Sequence, residues 1–160
     1  MRRAATWLTI GSLAAVAMLL SANTSLATPP SGFTADWTYR ATLPPLHVDS
    51  RDYKLDQKNS QDIVMRQLTI LPGGSSGWHF HPGPTYVVVA QGVDSLYEAN
   101  DPTCTAHNYG PGDGFVEPGG DVHISLNQGT TKLVLLVTFT NVPVGGVFRL
   151  DAPRPGNCPF

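Results

Sequence analysis

Three histidines in two glycine-flanked segments are the side chains of this sequence best suited to metal chemistry. His79 and His81 are separated by one residue, so on a β-strand both leave the same face, about 6 to 7 Å apart. His123 follows a Pro-Gly-Gly turn at residues 118–120 and begins another strand-like segment. Imidazole nitrogens are common ligands of divalent transition metals, so the three residues predict a metal site if their strands face one cavity. A hydrogen-bonded set of histidines without metal is the alternative.

Short strands are the elements that must position these histidines. The sequence after residue 27 contains no segment of helical periodicity, and turns rich in Gly, Pro and Asn separate its apolar or alternating segments. We therefore predict one all-β domain, built as a sandwich or a jelly-roll barrel. The predicted strands cover residues 37–43, 63–71, 77–81, 85–90, 93–99, 114–117, 122–126 and 132–142.

The N-terminus has the pattern of a cleaved export signal. Arg2 and Arg3 precede an apolar run at residues 8–20, and small residues follow up to Ala27. A membrane anchor is the alternative, but the run is shorter than the roughly 20 residues that a spanning helix needs. We predict a signal peptide over residues 1–27 and a secreted mature chain without membrane attachment.

The remaining chain divides by composition into three parts. Residues 28–62 are expected to form an N-terminal linker, an edge strand and a charged surface excursion, residues 63–144 the barrel, and residues 145–160 a C-terminal tail. A net charge of −2 with 14% charged residues leaves no basic stripe, which argues against nucleic acid as a partner. Small molecules and metal ions are the expected partners.

The two cysteines lie outside the predicted strands. Cys104 is in a loop and Cys158 is in the terminal Pro-Gly-Asn-Cys-Pro run. If the chain is exported, an oxidising compartment favours a disulfide between them that holds the tail against the barrel. Two independent thiols are the alternative.

Glycines, a proline and an asparagine stand at regular spacing around the histidines. One set is Gly73, His79, His81 and Gly92, and the other is Gly112, Pro118, Gly120, His123 and Asn127. This spacing resembles the two motifs of the cupin superfamily, and the chain is similar, more narrowly, to small secreted single-domain cupins of actinobacterial type. The resemblance implies a single-domain cupin jelly-roll β-barrel with one metal ion inside, ligated by His79, His81 and His123. It also makes a homodimer through barrel edges an expectation.

One motif position departs from the family pattern. The first motif normally supplies a Glu shortly after its second His, where this chain has Thr85 and Tyr86. Without that carboxylate the ligand set is neutral, which favours Zn, Cu, Ni or Fe over Mn. Glu117 is next to the second motif and could approach the metal, but a charged side chain is expected to be solvated. Tyr86 is expected to be a core aromatic, and the alternative is that it lines the pocket or donates a proton.

Three functions are compatible with such a chain. A metal-dependent enzyme of the dioxygenase, isomerase or lyase type acting on a small molecule is one, and a non-catalytic extracellular module that binds a small ligand or a metal is the second. A barrel kept only as a structural domain is the third. The motifs contain no spare carboxylate or histidine as a general base, so no catalytic residue is assigned. His47 and His107 are expected to be solvated.

Overall fold

A computed structural model describes residues 27–160, which form twelve β-strands and no helix. The segment 1–26, which holds nearly all of the predicted signal peptide, lies outside the described residues. Within residues 27–160, no helix is long and apolar enough to cross a membrane. The strands are β1 Ser31–Leu43, β2 Leu46–Ser50, β3 Tyr53–Gln57, β4 Gln61–Ser75, β5 His79–Phe80, β6 Thr85–Gln91, β7 Asp94–Glu98, β8 His107–Tyr109, β9 Gly114–Glu117, β10 His123–Leu126, β11 Leu133–Val142 and β12 Leu150–Asp151.

Ten of these strands form one antiparallel system that folds back on itself. One row runs β1-β4-β11-β6-β9, and the other runs β12-β5-β10 and continues through β7 to β8. The rows join where Ser75 at the end of β4 pairs with Leu126 of β10. This is a jelly-roll β-barrel, so the predicted all-β fold class is confirmed.

The main core lies between the rows and follows strand alternation. In β6 the buried Val87 and Val89 alternate with exposed residues. In β11 the buried Leu135, Val137 and Phe139 alternate with residues that are exposed or partly exposed. Successive side chains of a strand point to opposite faces, so every second residue faces the interior. The sequence therefore encodes which face of these strands is apolar.

Several strands differ from the sequence prediction because of their partners. The expected surface excursion contains the hairpin of β2 and β3. Strand β4 was expected to end at residue 71, but it continues through Pro72, Gly73 and Gly74. The backbone N–H of Gly73 donates to the Asn127 carbonyl at 2.8 Å, which extends the pairing. The short β8 and β12 were not predicted, because only pairing with β7 and β5 makes them strands.

A second apolar cluster lies under the C-terminal tail, behind β5 and β10. It consists of Trp78, Tyr97, Ile124, Ala152 and Cys158. The predicted disulfide between Cys104 and Cys158 is present and closes a loop with a sequence separation of 54. The indole N–H of Trp78 donates to the Phe160 carbonyl at 2.8 Å. The tail is therefore a cover over the back of the histidine strands.

Removing the disulfide should loosen this cover. We expect paired Cys104→Ser and Cys158→Ser substitutions to lower the free energy of unfolding by about 2 to 4 kcal/mol. The disulfide-free variant and its reference protein should both carry Trp37→Phe, so that the fully buried Trp78 is the emitting tryptophan of residues 27–160. Urea titrations measure the free energy of unfolding. Before urea is added, the Trp78 emission of the disulfide-free variant should already be shifted to the red. Unchanged emission together with unchanged stability would show that the tail is held without the disulfide.

Candidate metal centre

The three predicted histidines meet inside the barrel. His79 of β5 pairs directly with His123 of β10, and His81 follows β5 on the same face as His79. All three are buried, and one ligand nitrogen from each lies within 4.8 Å of the others. The apolar neighbours Trp78 and Ile124 point the other way, into the cluster under the tail. Strand alternation thus separates a polar inner face from an apolar outer face.

Backbone carbonyls fix the orientation of each imidazole. Nδ1 of His79 lies 2.8 Å from the Gly77 carbonyl oxygen, and Nδ1 of His123 lies 2.8 Å from that of Asp121. Nδ1 of His81 lies 2.7 Å from the Phe148 carbonyl oxygen. A carbonyl only accepts, so each Nδ1 carries the proton and donates. Each neutral ring therefore has its free lone pair on Nε2, the arrangement found in histidine ligands of metals.

Glu117 lies beside the histidines, so the expectation that it is solvated was wrong. Its side chain is 7% exposed. One carboxylate oxygen is 3.2 Å from Nε2 of His123 and the other is 3.4 Å from Nε2 of His81. The alternation of burial along β9 could have identified Glu117 as inward-facing. Phe115, two residues earlier, also faces inward, and Val116 between them is exposed. The argument against Mn assumed a site without a carboxylate, and that premise was also wrong.

The charges of the metal-free site are coupled. Burial, together with neighbouring His123, lowers the pKa of His79 well below its usual value. Burial alone would lower the pKa of His123, but the Glu117 carboxylate raises it above its ordinary value. Burial opposes ionisation of Glu117, yet His123 and His81 hold its pKa below the usual range. A metal ion bound by these rings would therefore compete with protonation of His123.

A metal ion fits the residues present. Nε2 of His123 is buried and makes no hydrogen bond within residues 27–160. With the proton on Nδ1, this nitrogen and the Glu117 oxygen 3.2 Å away are both acceptors, so neither satisfies the other. A buried acceptor without a partner is costly, and a metal ion would provide that partner. The donors are three imidazoles with Nε2 free, which suits divalent transition metals.

A small cavity leads from the histidines toward the surface. Its volume is about 30 Å³, and His79, His81 and Glu117 lie at its inner end. Apolar side chains of β6 and β11 form its walls, and the partly exposed Arg66 and Arg149 also line it. Such a volume holds about one or two water molecules. The space beside the histidines therefore admits a very small ligand.

The other residues singled out in the sequence lie away from the centre. Tyr86 is 47% exposed, so its expected place in the core was wrong; it pairs with Val116 on the outer face of the barrel. His47 in β2 and His107 in β8 are exposed, as expected. Sequence reasoning missed Arg66 and Arg149, because no local pattern relates β4 to the segment before β12.

The motif spacing, the barrel and the convergent histidines agree with a match to a known family. The family model for the cupin domain matches residues 66–139. Residues 66–139 of this chain are a cupin domain. The second-motif Asn127 of this cupin is buried and structural: its amide donates to the carbonyls of Ile70 and Thr131, both at 2.8 Å.

Curated relatives of this cupin are germin-like proteins of plants. It is 34% identical over 139 residues to germin-like protein subfamily T member 3 of Arabidopsis thaliana, covering 83% of this chain and 56% of that protein. It is 27% identical over 101 residues to a germin-like protein of Morus alba, covering 62% of this chain and 48% of that protein. The chain thus spans about half the length of the curated relatives it matches.

Two solved structures align with part of this chain. An uncharacterised Klebsiella pneumoniae protein with a double-stranded β-helix domain aligns with a TM-score of 0.48 and 19% identity, over 57% of this chain and 76% of that one. An oxalate decarboxylase from Bacillus subtilis aligns with a TM-score of 0.47 and 25% identity, over 56% of this chain and 23% of that one.

Asp94 is a buried carboxyl group close to the metal centre. It is fully buried at the start of β7, and Ser125, which lines the cavity, donates to its Oδ2 at 3.0 Å. Its Oδ1 has no hydrogen-bond partner in the part of the chain that the structure describes. Burial, reinforced by the charge of Glu117, raises the pKa of Asp94 to about 7.

This pKa predicts a pH-dependent stability of the metal-free protein. Between about pH 4 and pH 7 the folded state keeps a proton that an unfolded aspartate has released, so stability falls as the pH rises. Asp94→Asn should remove this pH dependence. Relative to the parent, its free energy of unfolding should therefore rise by on the order of 4 kcal/mol between about pH 4 and pH 7. Urea unfolding at a series of pH values in the presence of a chelator measures it.

The control for this measurement is Asp52→Asn, which changes an exposed carboxylate in the turn between β2 and β3. Its pH profile should follow that of the parent. If the stability of Asp94→Asn changed with pH in the same way as that of the parent, this would contradict a buried, protonated Asp94.

Proposed function

We propose that this protein is a secreted cupin in which His79, His81 and His123 hold one divalent transition metal ion and present it to a small molecule in the barrel. The observation that carries the proposal is the convergence of three Nε2 atoms beside a cavity that His79 and His81 line. A backbone carbonyl bound to Nδ1 fixes the orientation of each ring. The disulfide between Cys104 and Cys158 supports an oxidising compartment outside the cytosol. A homodimer through the barrel edges is part of the proposal.

The chain's own residues would bind and orient the small molecule. When bound, the metal ion supplies a positive centre that polarises or orients a ligand. The apolar walls from β6 and β11 exclude bulk water, which strengthens electrostatic interactions in the cavity. The first candidate function is therefore an enzyme of the dioxygenase, isomerase or lyase type that acts on this small molecule.

Two arginines favour a small anion as the ligand. Arg66 donates from Nε to Thr38 Oγ1 at 2.9 Å, and no carboxylate of the described residues forms an ion pair with it. Arg149 pairs with Asp151 at 2.8 Å, which balances its charge. With a divalent ion bound, the cavity would carry excess positive charge. A guanidinium binds carboxylates with charge-assisted hydrogen bonds, so a small carboxylate is the expected class.

A non-catalytic binding module is the second candidate, and one observation favours it. Glu117 is the single carboxylate that lines the cavity in residues 27–160, and it contacts two of the histidines. No carboxylate is therefore left free as a general base. Capture of a small ligand or of the metal itself, without turnover, is compatible with this arrangement.

Metal analysis tests the proposed centre. The mature protein, purified without chelator, should contain about one equivalent of a divalent transition metal per chain by elemental analysis. His79→Ala should lose nearly all of it, because two imidazoles hold such an ion much more weakly than three. Circular dichroism should show that the variant keeps its β-structure.

The matched control is His107→Ala, which removes an exposed histidine outside the centre. It should keep the full metal content. Equal metal content in His79→Ala and in the parent would contradict the proposed function.

Anion binding gives a separate prediction. Calorimetric titration of the Zn(II)-loaded protein should show heat of binding with acetate and little with the neutral analogue acetamide. Arg66→Gln should weaken acetate binding at least about tenfold, the loss expected for one charge-assisted hydrogen bond. Arg51→Gln, in the exposed turn after β2, is the control and should bind like the parent. Equal affinity for acetate and acetamide would contradict an anionic ligand.

A further inference from the structure

Two opposed strands place a carboxylate where the first cupin motif lacks one. The motif Glu is replaced by Thr85 or Tyr86 on β6. The register of β6 and β9 pairs Thr85 with Glu117 and Tyr86 with Val116. Directly opposed residues of antiparallel strands project to the same face with Cβ atoms about 4.5 to 5.5 Å apart. Thr85 is fully buried and Glu117 nearly so, whereas Tyr86 and Val116 are exposed. Position 85 and position 117 therefore share the inner face.

The separations of the Glu117 carboxylate from two of the three imidazoles fit a common ion. Ligands that bind one metal ion at about 2.1 Å lie roughly 3.0 to 3.4 Å from one another in octahedral or tetrahedral geometry. The Glu117 oxygens are 3.2 Å and 3.4 Å from Nε2 of His123 and of His81. Those nitrogens are the ones left free by the carbonyl contacts at Nδ1. The carboxylate thus lies where a ligand next to both imidazoles belongs.

We propose that Glu117 on β9 is the fourth protein ligand and takes the place of the missing motif Glu, whose position lies on the neighbouring strand β6. The inference rests on the proposed metal centre and goes beyond its three histidines. The ligand set then carries one negative charge, which lowers the net charge of a site with a divalent ion and admits Mn(II) beside Zn, Cu, Ni and Fe. Glu117 is then occupied by the metal, and a catalytic base would have to come from the ligand or from water.

Removing and then moving the carboxylate tests this role. Zn(II) and Mn(II) affinities are measured by chelator competition, and the visible spectrum of the Co(II)-loaded protein reports ligand number and type. Glu117→Gln should weaken Zn(II) at least about a hundredfold and Mn(II) more, because carboxylate oxygen is the harder ligand. Its Co(II) spectrum should change.

The exchange variant, Thr85→Glu together with Glu117→Thr, returns the carboxylate to β6. It should recover affinity to within about tenfold of the parent, whereas Glu117→Thr alone should not. The recovery separates a ligand from a residue that only fills space or fixes the imidazoles from β9. Thermal unfolding of the metal-free variants checks that each is folded.

Glu98→Gln is the matched control, because Glu98 is the cross-strand partner of His123 in the pairing of β7 with β10. Among the described residues its carboxylate forms no ion pair with a histidine, so its affinities and spectrum should equal those of the parent. Parent-like affinities and an unchanged Co(II) spectrum in Glu117→Gln would overturn the fourth ligand while leaving the His79→Ala result, and hence the proposed function, intact. Failure of the unsubstituted protein to bind any of these metals would overturn both.

Discussion

The hydrogen bonds from imidazole Nδ1 to backbone carbonyls are the interactions on which the centre depends. Three imidazoles buried in a barrel would carry a large desolvation penalty if both nitrogens of each ring lacked partners. The carbonyls of Gly77, Asp121 and Phe148 satisfy one nitrogen each and aim the other inward. Two of these carbonyls precede their own histidine by two residues. The third requires the chain before β12 to return to the barrel, so the C-terminal region helps to build the site.

The second constraint is that the histidine strands must bury both faces. Their inner face is polar, so apolar packing has to come from the outer face, where Trp78 and Ile124 lie. A sheet with an exposed outer face would leave these side chains in water. The tail covers them, and the disulfide of Cys104 with Cys158 holds that tail in place. The metal centre and the disulfide therefore lie on opposite sides of the same strands.

Local signals in the sequence predicted part of the site, and one local signal was given too little weight. The one-residue spacing of His79 and His81 sets a shared face for any strand, so the pair followed from the sequence alone. Glu117 was misjudged because the usual exposure of charged residues was given more weight than the alternation of Phe115, Val116 and Glu117. Its neighbour across the strands, Thr85, is 32 residues away, and only the register shows that the two share a position.

The sequence by itself determined the strand-rich fold, the inner faces of β6 and β11 and the histidine ligand candidates, because these depend on residue type and spacing along the chain. It also determined the cysteine pair, because the chain has just two cysteines. The tertiary structure decided that β8 and β12 are strands, that the Phe148 carbonyl orients His81, and that Arg66 and Arg149 line one cavity with Glu117. Period-two alternation fixes which side of a strand is buried. Which distant strands face each other across the barrel is fixed only when non-local hydrogen bonds set the register.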